Sequence, residues 1–124
     1  MYAALQIDAY RTTQKASMTG RDIEAGALTK AALMLEECKR DWDSQDRDVK
    51  LSKALRMNQK IWSIFQAELA KEDNPLPWKL REDILSLSLF IDRRIIDVLA
   101  YPVPEKLDAI ININQNLAAG LRGA

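Results

Sequence analysis

The chain has 124 residues, 18 Lys and Arg against 18 Asp and Glu, and no histidine. Such a length supports one modest core, and the balanced charge supplies no overall field to hold nucleic acid or an anionic membrane. Lack of histidine removes imidazole bases, Ser-His pairs and His-containing metal sites, and the single cysteine, Cys38, admits no internal disulfide.

Taken in chain order, residues 1–18 begin "MYAALQIDAYRTTQ" and carry Tyr2, Leu5, Ile7 and Tyr10 on no shared face. They read as an N-terminal arm or a short helix ahead of a single helical domain over 19–124. No basic stretch leads into an apolar run there, so a secretory signal is not expected. The first long helix is predicted from Thr19, which has capping-box spacing to Asp22. Its apolar residues, Ile23, Ala27, Ala31, Met34, Leu35, Cys38 and Trp42, recur at steps of three and four. A second helix is predicted after Asp48 as N-cap, with Leu51, Ala54, Leu55, Ile61, Trp62, Phe65 and Leu69 on one face. The segment "EDNPLP" ends it, because proline disfavours helix in the residue before it.

Pro77 fits the first turn of a third helix. One broad face carries Leu80, Ile84, Leu87, Ile91, Ile95, Val98 and Leu99, and a second stripe carries Leu85, Leu89 and Ile96. Apolar residues on two sides predict that this helix is the central one. After "YPVPEK", Pro104 opens a fourth helix that Gly120 is expected to end. The longest apolar run, Ile84 to Ile91, is interrupted by Ser86 and Ser88, so no membrane span is expected. The fold class that follows is all-α, a small bundle of about four helices with an N-terminal arm.

The stretch "ININQNLAAGL" alternates like a strand, yet Leu107, Ile110, Ile111, Ile113, Leu117 and Leu121 share one side of a helical wheel. Asn112 and Asn116 lie on the other side, but Asn114 falls inside the apolar arc. Asn58 lies likewise among Leu51, Trp62 and Phe65, and Asp92 among Leu85, Ile96 and Leu99. A buried amide left unpaired costs about 1–3 kcal/mol, so these groups need partners. They either satisfy one another and fix helix register, as a core Asn does in coiled coils, or mark faces that a partner helix completes. On the second reading the candidate partner-binding residues are Asn58, Trp62, Phe65, Phe90, Asn114, Leu117 and Leu121. A leucine at position 114 is expected to be tolerated in the free protein.

Chemistry has little to work with. "DWDSQDRD" brings Asp41, Asp43, Asp46 and Asp48 together, but a calcium loop needs Gly where Asp46 stands and Glu where Ser52 stands. No glycine-rich phosphate cradle appears, and nothing pairs a nucleophile with an oriented base. Cys38 reads as a core thiol. No catalytic residue, metal ligand or cofactor is expected, and direct nucleic-acid binding is not expected either.

Five stretches together carry a family likeness: "AYRTTQKASMTGRDIEA", "RMNQKIWSIFQAEL", "DNPLP", "LSLFIDRR" and "EKLDAIININQNLAAGL". In this order, over about Ala9 to Leu121, they resemble the FlaF family of flagellar biosynthesis proteins. The resemblance implies a non-enzymatic, cytoplasmic protein that binds flagellin, as a regulator of its synthesis or as its secretion chaperone, alongside the regulator FlbT. Other readings are a regulator of flagellin mRNA acting with FlbT, and a structural bundle without a client. Flagellin termini are long amphipathic helices, and a helical groove holds such a segment by its i, i+3, i+4 and i+7 side chains.

Overall fold

The computed structural model describes residues 13–123, with side chains from Arg21 onward. Four helices follow one another: α1 (Thr13–Arg40), α2 (Arg47–Ala70), α3 (Trp78–Ala100) and α4 (Asp108–Gly123). A 3-10 turn, Pro104–Leu107, leads into α4. No strand occurs among the described residues, so the protein is a small all-α bundle.

The helix ends follow proline and side-chain capping. Asp46 is the N-cap of α2, two residues earlier than predicted, and Asp48 lies in the first turn. Pro77 sits just outside α3 as its N-cap, and the Arg81 amide donates to the Pro77 carbonyl. The carbonyls at the end of α2 are satisfied from α3: the Arg81 guanidinium donates to Leu69 O at 2.8 and 3.1 Å and to Lys71 O at 2.8 Å. Lys106 does the same for the end of α3, with its ammonium 2.9 Å from Tyr101 O and 3.1 Å from the Asp97 carboxylate. Orphan carbonyls at helix ends need such donors.

Other predicted boundaries move as well: Pro104 opens the 3-10 turn, and α4 begins at Asp108. Residues 13–18, assigned above to the arm, belong to α1, and the helix runs unbroken through Thr19; the rest of the arm, residues 1–12, lies outside the described residues. Gly120 does not end α4, which continues to Gly123, and no described glycine has a positive φ. Without that left-handed residue there is no glycine C-cap at 120.

The helix at the centre is α1, not α3. It lies against α2, α4 and the 3-10 turn, whereas α3 packs chiefly on α2. Composition explains the order. The buried face of α1 is Ala25, Leu28, Ala31, Ala32, Leu35 and Cys38, and three alanines let neighbouring backbones approach closely. Ile23, predicted on that face, stands in solvent. Against this face α4 runs antiparallel, tied by Lys39 to Asp108, Gln115 to Glu36 at 2.6 Å and Arg122 to Thr29 at 3.0 Å.

Inside, the asparagines satisfy one another. The Trp62 indole N–H donates to Asn114 Oδ1 at 2.9 Å, and Asn114 Nδ2 donates to Asn58 Oδ1 at 2.6 Å. Asn58 Nδ2 then donates to Ala54 O at 2.8 Å and reaches Ala31 O at 3.4 Å. All three side chains are fully buried. The relay links α4 to α2 and α2 to α1. Asp92, the third polar group, accepts from Gln66 Nε2 at 3.0 Å on the α2–α3 seam. No buried side-chain polar atom among the described residues lacks a partner.

The relay reverses one expectation. A leucine at 114 leaves the Trp62 N–H and Asn58 Oδ1 buried without partners, at about 1–3 kcal/mol each. Asn114→Leu is therefore expected to destabilise the protein by about 2–4 kcal/mol and to lower Tm by about 10 °C or more. Thermal unfolding followed by circular dichroism measures this; a Tm within a few degrees of the parent would show that the relay is dispensable.

Candidate functional site

The N-terminal half of α1 meets the C-terminal ends of α2 and α4 around an open cleft of about 240 Å³. Its apolar floor is Phe65 and Leu69 from α2, Leu76 from the loop, Ile84 from α3, and Leu117 and Leu121 from α4. Its rim is charged: Arg21 and Glu24 from α1, Glu68 from α2, and Lys71 and Asp73 from the loop.

Local chemistry builds each wall. The α2–α3 loop is shaped by Asn74, whose Oδ1 accepts from the Leu76 amide at 3.0 Å while its Nδ2 donates to Glu68 O at 3.0 Å. This Asx turn carries Pro75 and Leu76 to the cleft edge. Phe65 stands against Trp62, ring centroids 5.6 Å apart and planes tilted by 55°. Since Trp62 is pinned by Asn114, the buried relay also fixes one wall of the cleft. Leu117 and Leu121 follow Asn114 on the same side of α4, one and two turns farther on, and both are half-buried.

Glu24 is the unusual group. Burial pushes its carboxyl up from an ordinary 4.5 to about 7, the neighbouring Glu68 adds to the rise, and Arg21 works against it. The cleft thus holds an acid that changes charge near neutral pH, beside an apolar floor. It has shape and charge for holding an apolar side chain flanked by a cation, and it presents no nucleophile with an oriented base.

The candidate residues separate into three groups. Phe65, Leu117 and Leu121 come together in the cleft. Asn58, Trp62 and Asn114 are interior, so they are corrected from partner contacts to core: their apolar faces are closed by one another and by α1. Phe90 is away from both, on the outer side of α3, with the Arg94 guanidinium 5.2 Å from its ring centroid. The periodicity gave no sign of Arg21, Glu24, Asn74 or Leu76 as cleft residues. The "DNPLP" segment was the only available signal, since it marks a shaped loop and not a mere break.

The acidic turn is resolved as well. Lys50 lies 3.8 Å from Asp41 and 3.6 Å from Asp46, and Ser44 donates to Asp46 at 2.7 Å. That hydrogen bond holds the Asp46 carboxyl below its ordinary range. Arg47 stacks over Trp42, 4.7 Å from the ring centroid. Asp46 holds the N-cap position of α2 without a side-chain cap hydrogen bond, and Asp41 and Asp46 pair with Lys50, as a solvated turn does.

The family model described as flagellar protein FlaF matches residues 6–121. The chain belongs to the FlaF family. It is a flagellar protein, and the matched span takes in every residue that lines the cleft. No curated protein and no solved structure matches this FlaF chain. No described helix of it is long and apolar enough to cross a membrane.

Glu24 makes stability depend on pH in a definite direction. Its folded value, about 7, lies above the ordinary 4.5, so between these values the folded protein holds a proton that the unfolded chain has released. Stability is therefore expected to fall as pH rises through that window and to level off above it. Urea unfolding at about pH 5 and about pH 8 should show the decline, and Glu24→Gln should remove most of it. An identical slope in the variant would mean that Glu24 titrates as an ordinary carboxylate.

Proposed function

We propose that this FlaF protein binds flagellin and supports its synthesis and export during flagellum assembly. The reading rests on family membership, and one structural observation supports it: an apolar cleft with a charged rim, open at one end of the bundle. An amphipathic flagellin helix places an apolar side chain against Phe65, Leu117 and Leu121 and a basic one against Glu24 and Glu68. Burying such a side chain contributes about 1.5–3 kcal/mol, so this anchor and an ion pair give a reversible complex. Reversibility suits a carrier that must release its client for export.

Leu117→Asp with Leu121→Asp is expected to abolish flagellin binding measured by calorimetry with purified proteins. Truncating a central anchor commonly costs about 2–4 kcal/mol, and a carboxylate in the floor would have to be desolvated by the incoming apolar side chain. Both leucines lie in the last turns of α4, so the fold should survive; circular dichroism checks this, and Leu121→Asp alone is the milder variant. Phe90→Ala should bind as the parent does. A folded double variant with unchanged affinity would place flagellin elsewhere.

A further inference from the structure

Helix α3 buries one face and leaves another open. Ile84, Ser88, Ile91, Ile95 and Val98 face the bundle. Trp78, Leu89 and Ile96 lie within about 20° of one another on a helical wheel, turned away from that face, and Leu85 beside them is half-buried against the core. Trp78 is 68% exposed, Leu89 54% and Ile96 64%, and Leu99 beside them is 56% exposed. An apolar stripe of this length, about five turns, is on the order of 400–500 Å², a size at which a monomer's surface ordinarily carries an interface.

The charges beside the stripe say what covers it. Glu82 and Arg93 lie on the same flank, three turns apart, and both are exposed. When two antiparallel helices pack about a twofold axis, like flanks meet. An axis midway between positions 82 and 93 therefore sets Glu82 of one copy directly opposite Arg93 of the other, twice. The same axis brings Leu85 beside Leu89 of the second copy, and Ile96 beside Trp78. Lys79 falls next to Asp97 on the same flank. One register thus serves both the apolar stripe and the Glu82 and Arg93 charges, as a self-complementary twofold interface requires, while Asp92 at the stripe's edge keeps its Gln66 partner, Lys79 its Asp83 and Asp97 its Lys106 within each copy.

We propose that α3 is the interface of an antiparallel, twofold homodimer, with the stripe of one copy packed on that of the other. The interface buries on the order of 1,000 Å² in total, the lower end for a specific protein–protein contact, so the dimer forms and dissociates with concentration. It is separate from the cleft, and dimer formation does not depend on flagellin.

Sedimentation equilibrium of the full chain from about 1 μM to about 500 μM tests this. The expected result is a reversible monomer–dimer equilibrium. Leu89→Asp with Ile96→Asp changes exposed residues only, so circular dichroism should be unchanged while the dimer is lost. Glu82→Arg alone and Arg93→Glu alone should each weaken the dimer about tenfold or more, by setting like charges opposite. The charge-swapped double variant should recover most of that loss. A chain monomeric throughout, a dimer indifferent to Leu89→Asp with Ile96→Asp, or a swap that recovers nothing would overturn the proposal. So would loss of flagellin binding in the Leu89 and Ile96 variant of a monomeric chain, which would give the stripe to flagellin.

Discussion

The hydrogen-bonded relay from Trp62 through Asn114 to Asn58 is the constraint on which the bundle depends. Apolar faces alone tolerate sliding, since one leucine is much like another. A relay of amides and an indole does not. Shifting α4 by one residue on α2 strips partners from three fully buried side chains, at about 1–3 kcal/mol apiece. A domain of this size is stable by only about 5–15 kcal/mol. The relay therefore selects one register, and the antiparallel ties between α1 and α4 agree with it.

Closing the interior decides what remains open. With Asn58 and Asn114 paired inside, the middle of each face that carries them has nothing to offer a partner. The openings lie at the periphery. One is the cleft, where α2 and α4 run past the end of the relay and Phe65, Leu117 and Leu121 are only half-covered. The other is α3, which is held by one face and by a cap near each end, Arg81 and Lys106. These caps anchor the helix without covering its outer side, so Leu89 and Ile96 of its second apolar stripe face solvent.

Most of the fold was legible in the sequence, and each departure has a physical cause. Helical periodicity overrode the strand-like alternation of "ININQNLAAGL" because Leu107, Ile110 and Leu121 fit only a helix. The wheel put Asn114 and Asn58 inside apolar arcs but not opposite each other, because pairing across helices is a tertiary fact. The two stripes of α3 predicted a central helix, since periodicity records how much apolar surface a helix has and not what covers it. Alanines on α1, weak as a hydrophobic signal, proved decisive because small side chains permit close approach. Thr19 and Gly120 carry cap signals at positions where the helices continue. The cleft was legible only through its leucines and Phe65. Its charged rim joins Arg21 to Lys71 and Asp73, and no local pattern encodes that meeting.

The central claim is that the asparagine seam is closed in the free protein. Hydrogen exchange of the Trp62 indole N–H, followed by NMR without flagellin, tests it most directly. A closed seam predicts exchange only through global unfolding, with a protection free energy that matches the stability measured by denaturant. Exchange at the rate of a solvent-open indole, with protection appearing only when flagellin is added, would show instead that the seam is the docking face.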